Sequence, residues 1–92
     1  MLNMKHYTIV VTGKVQGVFF RANTKEQAQK LGLCGWVQNE ADGSVRIEAE
    51  GEEADLQQLV DWCKRGPRLA QVADVVVQPG EIAHSTDFTV RR

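Results

Sequence analysis

Cysteine, histidine and proline are scarce in this chain, with two of each in 92 residues. Cys34 and Cys63 are too few for a disulfide framework and form no Cys-x-x-Cys pair, so they read as two small buried hydrophobes with free thiols. His6 and His84 stand in no metal-ligand spacing, and no metal is assigned. No apolar run approaches the ~18 residues that a membrane span needs, and Met1 to Lys5 lack the apolar core of a signal peptide. The expected address is cytoplasmic, with no membrane partner. Charge of one sign is also missing. A formal net charge of −1 excludes broad electrostatic adhesion to nucleic acid or anionic lipid and leaves room only for a local positive site.

What is present is the composition of an ordinary folded protein, 42% hydrophobic and 25% charged. Its 92 residues, 1–92, suffice for one domain with a single core. A site on such a fold must be shallow, and a monomer is the default expectation.

Tyr7 to Thr12 is rich in β-branched residues and reads as a central strand, with Tyr7, Ile9 and Val11 sharing a face. Phe20, Thr24, Ala28 and Leu31 then recur at helical spacing, and Gly32 stops that helix. Gly35 to Asn39 makes a second strand, and Ala41-Asp42-Gly43 a hairpin turn. In the third strand, Val45, Ile47 and Ala49 alternate with Ser44, Arg46, Glu48 and Glu50, which predicts one core face and one wet face. Glu52 to Arg65 is a second helix, acidic at its start and basic at its end, with Leu56, Leu59, Val60 and Cys63 as its buried stripe. Val72 to Val77 is a fourth strand ended by Pro79-Gly80, and Asp87 to Val90 predicts a short edge strand.

The order β-α-β-β-α-β plus a tail strand, joined by right-handed crossovers, predicts an α+β ferredoxin-like sandwich. It has an antiparallel-type sheet and two helices on one face. Its spatial strand order is 4-1-3-2. The first and second strands are then parallel, so their C-terminal ends share a rim.

The stretch Gly13-Lys14-Val15-Gln16-Gly17-Val18-Phe19-Phe20-Arg21 leaves the first of those ends. Its two glycines permit positive φ, so successive amide N–H groups can face one concavity, and the helix that follows adds its positive end. Arg21 supplies a planar fork for two phosphate oxygens. The segment therefore reads as a phosphate cradle. It is neither Gly-x-Gly-x-x-Gly nor a Walker loop, because Lys14 is followed by Val15 and not by Ser or Thr. Gln16 reads equally as a turn residue or as a side-chain ligand.

These nine residues resemble, without gaps, a signature of the acylphosphatases, small enzymes that hydrolyse carboxyl-phosphate anhydrides. Gly35-Trp36-Val37-Gln38-Asn39, with Gly43, Val45 and Gly51, resembles that family's other signature. The resemblance implies that Arg21 holds the phosphate and Asn39 orients the attacking water. It further implies that the backbone amides of Val15, Gln16, Gly17, Val18, Phe19 and Phe20 bind the phosphoryl oxygens. It also implies an acyl phosphate substrate, inorganic phosphate as a product, and neither cofactor, metal nor phospho-enzyme. The two signatures hold no cysteine or histidine to serve as a nucleophile.

Two other readings belong to different classes. The same loop resembles the acylphosphatase-like domain of larger carbamoyl-transferring maturation proteins, which suggests a phosphate-binding module, whereas a chain of one domain favours the enzyme. Phe19 and Phe20 beside Arg21 suggest a single-stranded RNA platform, but Phe20 falls at a core position and the third strand has no aromatic residue. Trp36 and Trp62 read as packing residues.

Overall fold

The computed structural model describes residues 3–92. Its elements run β1 (Met4–Lys14), α1 (Phe20–Lys30), β2 (Cys34–Asn39), β3 (Val45–Glu52), α2 (Glu53–Arg65), β4 (Gln71–Gly80) and β5 (Phe88–Arg91). They form a ferredoxin-like α+β sandwich whose five-stranded sheet has the order β4-β1-β3-β2-β5. β1, β3, β2 and β4 pair antiparallel, as expected. β5 instead lies parallel to β2, which makes the sheet mixed.

The apolar alternation places Ile9 and Val11 of β1, Val37 of β2 and Val45, Ile47 and Ala49 of β3 in one core. Phe20, Thr24 and Ala28 of α1 and Leu56, Leu59, Val60 and Cys63 of α2 close it from the other side. Phe20 meets the Trp62 ring at a centroid distance of 5.5 Å, a tilted pair. Burial pushes the Cys63 thiol up to about 12, so it stays a neutral core residue. Gly32 ends α1 as expected: Gly32 N–H donates to Gln29 O at 3.1 Å and Leu33 N–H to Ala28 O at 2.9 Å, the double cap of a Schellman motif.

Three features depart from the sequence expectations. First, β4 runs through Pro79 and Gly80 and does not stop before them, pairing them with Tyr7 and His6. It is an edge strand, and one side of its ladder has no partner to lose. Second, for the same reason β4 is far more exposed than its valines suggest, with only Val72 and Val75 packed against the core.

The third departure is the larger one. Glu48 and Glu50 of β3, expected in water, are buried. His6 lies between them, Nε2 2.6 Å from Glu48 Oε1 and Nδ1 2.7 Å from Glu50 Oε2. Thr8 Oγ1 donates to Glu48 at 2.7 Å and Arg46 Nε at 2.7 Å. Glu50 also accepts the amides of Ala83 and Ser85. The segment 81–87 thus crosses the sheet face away from the helices and is held there by a carboxylate. Past it, Gly35 N–H donates to Asp87 O at 2.7 Å, and Phe88 buries itself in the core. Gly35 lets the strands come this close: its φ is +137°, and a Cβ there would meet Glu48 O at 1.8 Å.

A carboxylate only accepts, so His6 can donate from both nitrogens only as imidazolium. Burial opposes that charge, but the hydrogen bonds to Glu48 and Glu50 and their negative charges outweigh it and raise the His6 pKa above 6.5. The same burial opposes ionisation of the two glutamates. For Glu48 the hydrogen bonds from His6, Thr8 and Arg46 prevail, for Glu50 those from Ala83, His6 and Ser85, and both fall below 4.5. A raised histidine contributes stability that is full below its unfolded value of 6.5 and is lost as pH rises through the folded value. Lowered glutamates contribute stability that is full above 4.5 and is lost as pH falls through theirs. The cluster is therefore strongest between those two values. Urea midpoints measured from pH 5 to pH 9 are expected to fall as pH rises past the raised His6 value. His6→Gln should start lower and lose most of that slope.

Candidate active site

The antiparallel pairing of β3 with both β1 and β2 makes those two strands parallel and brings their C-terminal ends to one rim. The loop 15–19 leaves β1 there, and Asn39 ends β2 there. Between them lies a cavity of about 310 Å³, and Gly17, Phe19, Arg21 and Asn39 line it. Val15 and Phe20, both deeply buried, contribute to its wall, as do Ala22 of α1 and Val90 of β5.

The loop is held open by a left-handed alternation. Gly17 has φ 74° and Phe19 φ 63°, with Val18 between them on the ordinary side. Such an alternation turns successive amides toward one concavity. Among the described residues, the amides of residues 16–19 donate no hydrogen bond to backbone or side chain. They abut the first turn of α1, whose own N–H groups lack intrahelical partners. Phe19 is the residue before the helix and has no side-chain cap. A left-handed non-glycine residue costs about 1–2 kcal/mol. Asn23 helps to hold it, donating to Phe19 O from its side chain at 2.8 Å and from its backbone at 3.0 Å. The sequence reading assigns Asn23 no part; its only visible signal is a short amide side chain one turn after the loop.

Gln16 and Val18 do not line the cavity. Val18 is packed into the core, so only its backbone is available to a ligand. Gln16 Nε2 donates to Glu40 O at 2.8 Å and to Ser44 O at 2.9 Å, tying the loop to the β2–β3 turn. Of the two sequence readings of Gln16, turn residue or ligand, neither describes this cross-link. The turn itself is shaped by Asp42, which accepts the Ser44 amide at 2.9 Å and hydroxyl at 2.6 Å. Those two bonds hold the Asp42 carboxyl below its ordinary value.

Arg21 Nη1 donates to Arg91 O of β5 at 3.0 Å. The Arg91 guanidinium in turn lies 4.1 Å from the Trp36 ring centroid, and that of Arg46 5.8 Å from it. The tail strand therefore touches the site through its main chain. Across the cavity, Asn39 Oδ1 is the one buried side-chain polar atom without a hydrogen-bond partner among the described residues. Buried acceptors are nearly always satisfied, so an unmet one on a residue that lines a cavity is a candidate partner for a donor from outside the chain.

The geometry joins unmet amide donors, a fixed cation and an unmet acceptor around one opening. That set can hold an anion on one side and a hydroxylic molecule on the other.

Comparisons with known proteins identify the family. A family model described as Acylphosphatase matches residues 7–90. A curated acylphosphatase of Anaeromyxobacter sp. is 52% identical over 80 residues, 87% of this chain and 86% of the relative. Among solved structures, an acylphosphatase from Coxiella burnetii superposes with a TM-score of 0.94 at 38% identity, covering 97% of this chain and 94% of that one. The acylphosphatase from Bacillus subtilis gives 0.93 at 38% identity, covering 96% and 99%. The chain belongs to the acylphosphatase family, the enzymes that hydrolyse acyl phosphates.

Proposed function

We propose that Arg21 and the amides of the 15–20 loop hold the phosphoryl group of an acyl phosphate while Asn39 orients the water that attacks it. The observation that carries this reading is that Asn39, whose Oδ1 has no hydrogen-bond partner, lines one cavity with Arg21 and a loop of unpaired amides.

Asn39 Oδ1 accepts one O–H of the water, which turns a lone pair of the water oxygen toward phosphorus. That oxygen forms the new P–O bond as the bond to the acyl oxygen breaks. The carboxylate leaves with the electron pair, and the water proton passes to a phosphate oxygen, giving carboxylate and orthophosphate. Phosphoryl transfer has a loose transition state and a carboxylate is a good leaving group, so positioning and charge stabilisation suffice without a strong base. Arg21 meets the charge on the equatorial oxygens with a fork that an ammonium cannot copy. The reaction drawn this way has no phospho-enzyme.

Hydrolysis of benzoyl phosphate, followed by its ultraviolet absorbance in chelator-treated buffer, tests the reading. The native protein is expected to turn over, and Arg21→Gln to lose roughly 10²- to 10³-fold in kcat. Arg21→Lys should fall nearly as far, and near-full activity in that variant would remove Arg21 from the centre of the reaction. Asn39→Ala is expected to lose a similar factor in kcat while inorganic phosphate still inhibits it; equal loss of phosphate affinity would count against a water-orienting role.

The Gln16 cross-link gives a separate expectation. Gln16→Ala removes two hydrogen bonds, while Glu40 O keeps the Gly43 amide and Ser44 O the Glu40 amide, and should lower stability by about 1–2 kcal/mol. With the loop less firmly placed, kcat for benzoyl phosphate should drop as well. A stability loss in urea with kinetics unchanged would show that the loop holds its shape without the latch.

A further inference from the structure

Segment 81–87 is held to the sheet by Glu50. Its Ala83 and Ser85 amides donate to that buried carboxylate, and no residue of the segment is itself buried. Glu48 and Glu50 differ in what else meets their charge. Glu48 is paired with Arg46 and accepts the Thr8 hydroxyl, whereas His6 is the only cation paired with Glu50 among the described residues. β4 meets His6 at the uncharged Gly80, so closely that a Cβ there would lie 2.8 Å from the ring. β2 brings Cys34, across the ladder from Glu50, and the strap brings Glu81, His84 and Asp87, all exposed, as is Lys5 on β1. The pKa of His6 lies above 6.5, and as pH rises through it the ring keeps one donor and turns a lone pair toward the other carboxylate. Glu50 is then a buried charge without a counter-charge, and lifting the strap to admit water relieves it.

We propose that His6 and Glu50 are positioning residues for the hydrolysis: charged His6 keeps the strap on Glu50, the strap holds β5, and β5 keeps Arg21 turned toward the phosphoryl group. The inference rests on Arg21 holding that group, as proposed above. The path is continuous. Asp87 O accepts the Gly35 amide at 2.7 Å where the strap meets β2, and β5 then runs beside β2 to Arg91, whose carbonyl accepts Arg21 Nη1 at 3.0 Å. β5 is four residues long with β2 as its one ladder partner, so its entry depends on the strap. His6 stands near the start of β1 and the phosphate loop leaves its end, roughly 25 Å away along an extended strand. That is about three Debye lengths at physiological salt, so the His6 charge acts through the strap and not directly on the anion. Loss of the His6 proton should therefore weaken phosphoryl binding and appear mainly in KM.

The experiment titrates the His6 ring by NMR in the native protein, with and without saturating inorganic phosphate at matched ionic strength. Coupling is reciprocal, so phosphate should raise the His6 midpoint by about 0.7 pH unit, the equivalent of a 5-fold coupling. This titration needs no variant and decides the matter even if a substituted cluster fails to fold. KM for benzoyl phosphate is measured beside it from pH 6 to pH 9. Glu48→Gln and Glu50→Gln each remove one charge, but only Glu50 carries the strap. At pH 6, KM should rise about 5-fold in Glu50→Gln and stay within about 2-fold of native in Glu48→Gln, even where their urea midpoints fall alike. A purely structural cluster would shift both midpoints and neither KM. His6→Gln should start with the raised KM and lose the pH dependence seen in the native protein, whereas His84→Asn, which removes the strap's own histidine and suits its left-handed turn at φ 58°, should retain it. An unchanged His6 midpoint in phosphate, in a protein that hydrolyses benzoyl phosphate, would overturn the coupling and leave the hydrolytic reading standing. A native protein that neither hydrolyses benzoyl phosphate nor binds phosphate would overturn both.

Discussion

Two antiparallel pairings on either side of β3 force β1 and β2 to run the same way, and the site depends on that constraint. Neither the loop 15–19 nor Asn39 could make an active site alone. In the proposed mechanism one offers donors for an anion and the other an acceptor for water, and that mechanism needs both within a substrate's length. Parallel neighbours separated by one strand deliver them to one rim. The helices then need only cover the opposite face, and α1 adds its positive end to the rim because it begins where the loop stops.

Much of this was legible in the sequence because the relevant signals are periodic. Alternation in Val45 to Glu50 and helical spacing from Phe20 to Ala28 place the core, and the order of the elements restricts the topology to one known sandwich. Arg21 and Asn39 were placed for a different reason: Asn39 ends β2 and Arg21 stands in the first turn of α1, just past the loop that leaves β1, so topology brings both to one rim without knowledge of side chains. The buried pair Glu48 and Glu50 was not legible. Alternation states which face a residue is on, but not what crosses that face. Segment 81–87 has no period, and its path is set by main-chain amides finding Glu50, a contact 33 residues apart for Ala83. Gln16 is a similar case, since its two partners are carbonyls whose location depends on the folded turn.

The two faces of the sheet hold together by different physics. On the helix side, apolar burial dominates. On the other, His6 bridges two buried carboxylates, of which Glu48 is also paired with Arg46, and Thr8 and two amides take up further oxygens. A buried charge cluster often adds little net stability over an apolar replacement, because desolvation offsets attraction. What this one adds is direction. Carboxylate oxygens accept in particular places, so the strap follows one path to Asp87 and Phe88, and β5 enters beside β2 in a single register.

That register bears on the charge of Arg21. A guanidinium at a phosphate site must be oriented, and a neighbouring carboxylate would orient it strongly. A carboxylate would also compete with the phosphoryl oxygens for the same donors and cancel the charge meant for them. Among the described residues Arg21 forms no ion pair, and its partner is the main-chain carbonyl of Arg91. A neutral hydrogen bond of about 0.5–1.5 kcal/mol is enough to favour one rotamer. It leaves the full positive charge, and the remaining donors of the fork, free for the anion of the proposed mechanism. The carbonyl can do this only if β5 does not slide, and the β5 ladder, the buried Phe88 ring and the Arg91–Trp36 stack fix the strand at both ends. The tail strand orients the arginine without neutralising it, which is why a strand four residues long belongs to the candidate site although it carries neither of the two groups proposed to act on the substrate.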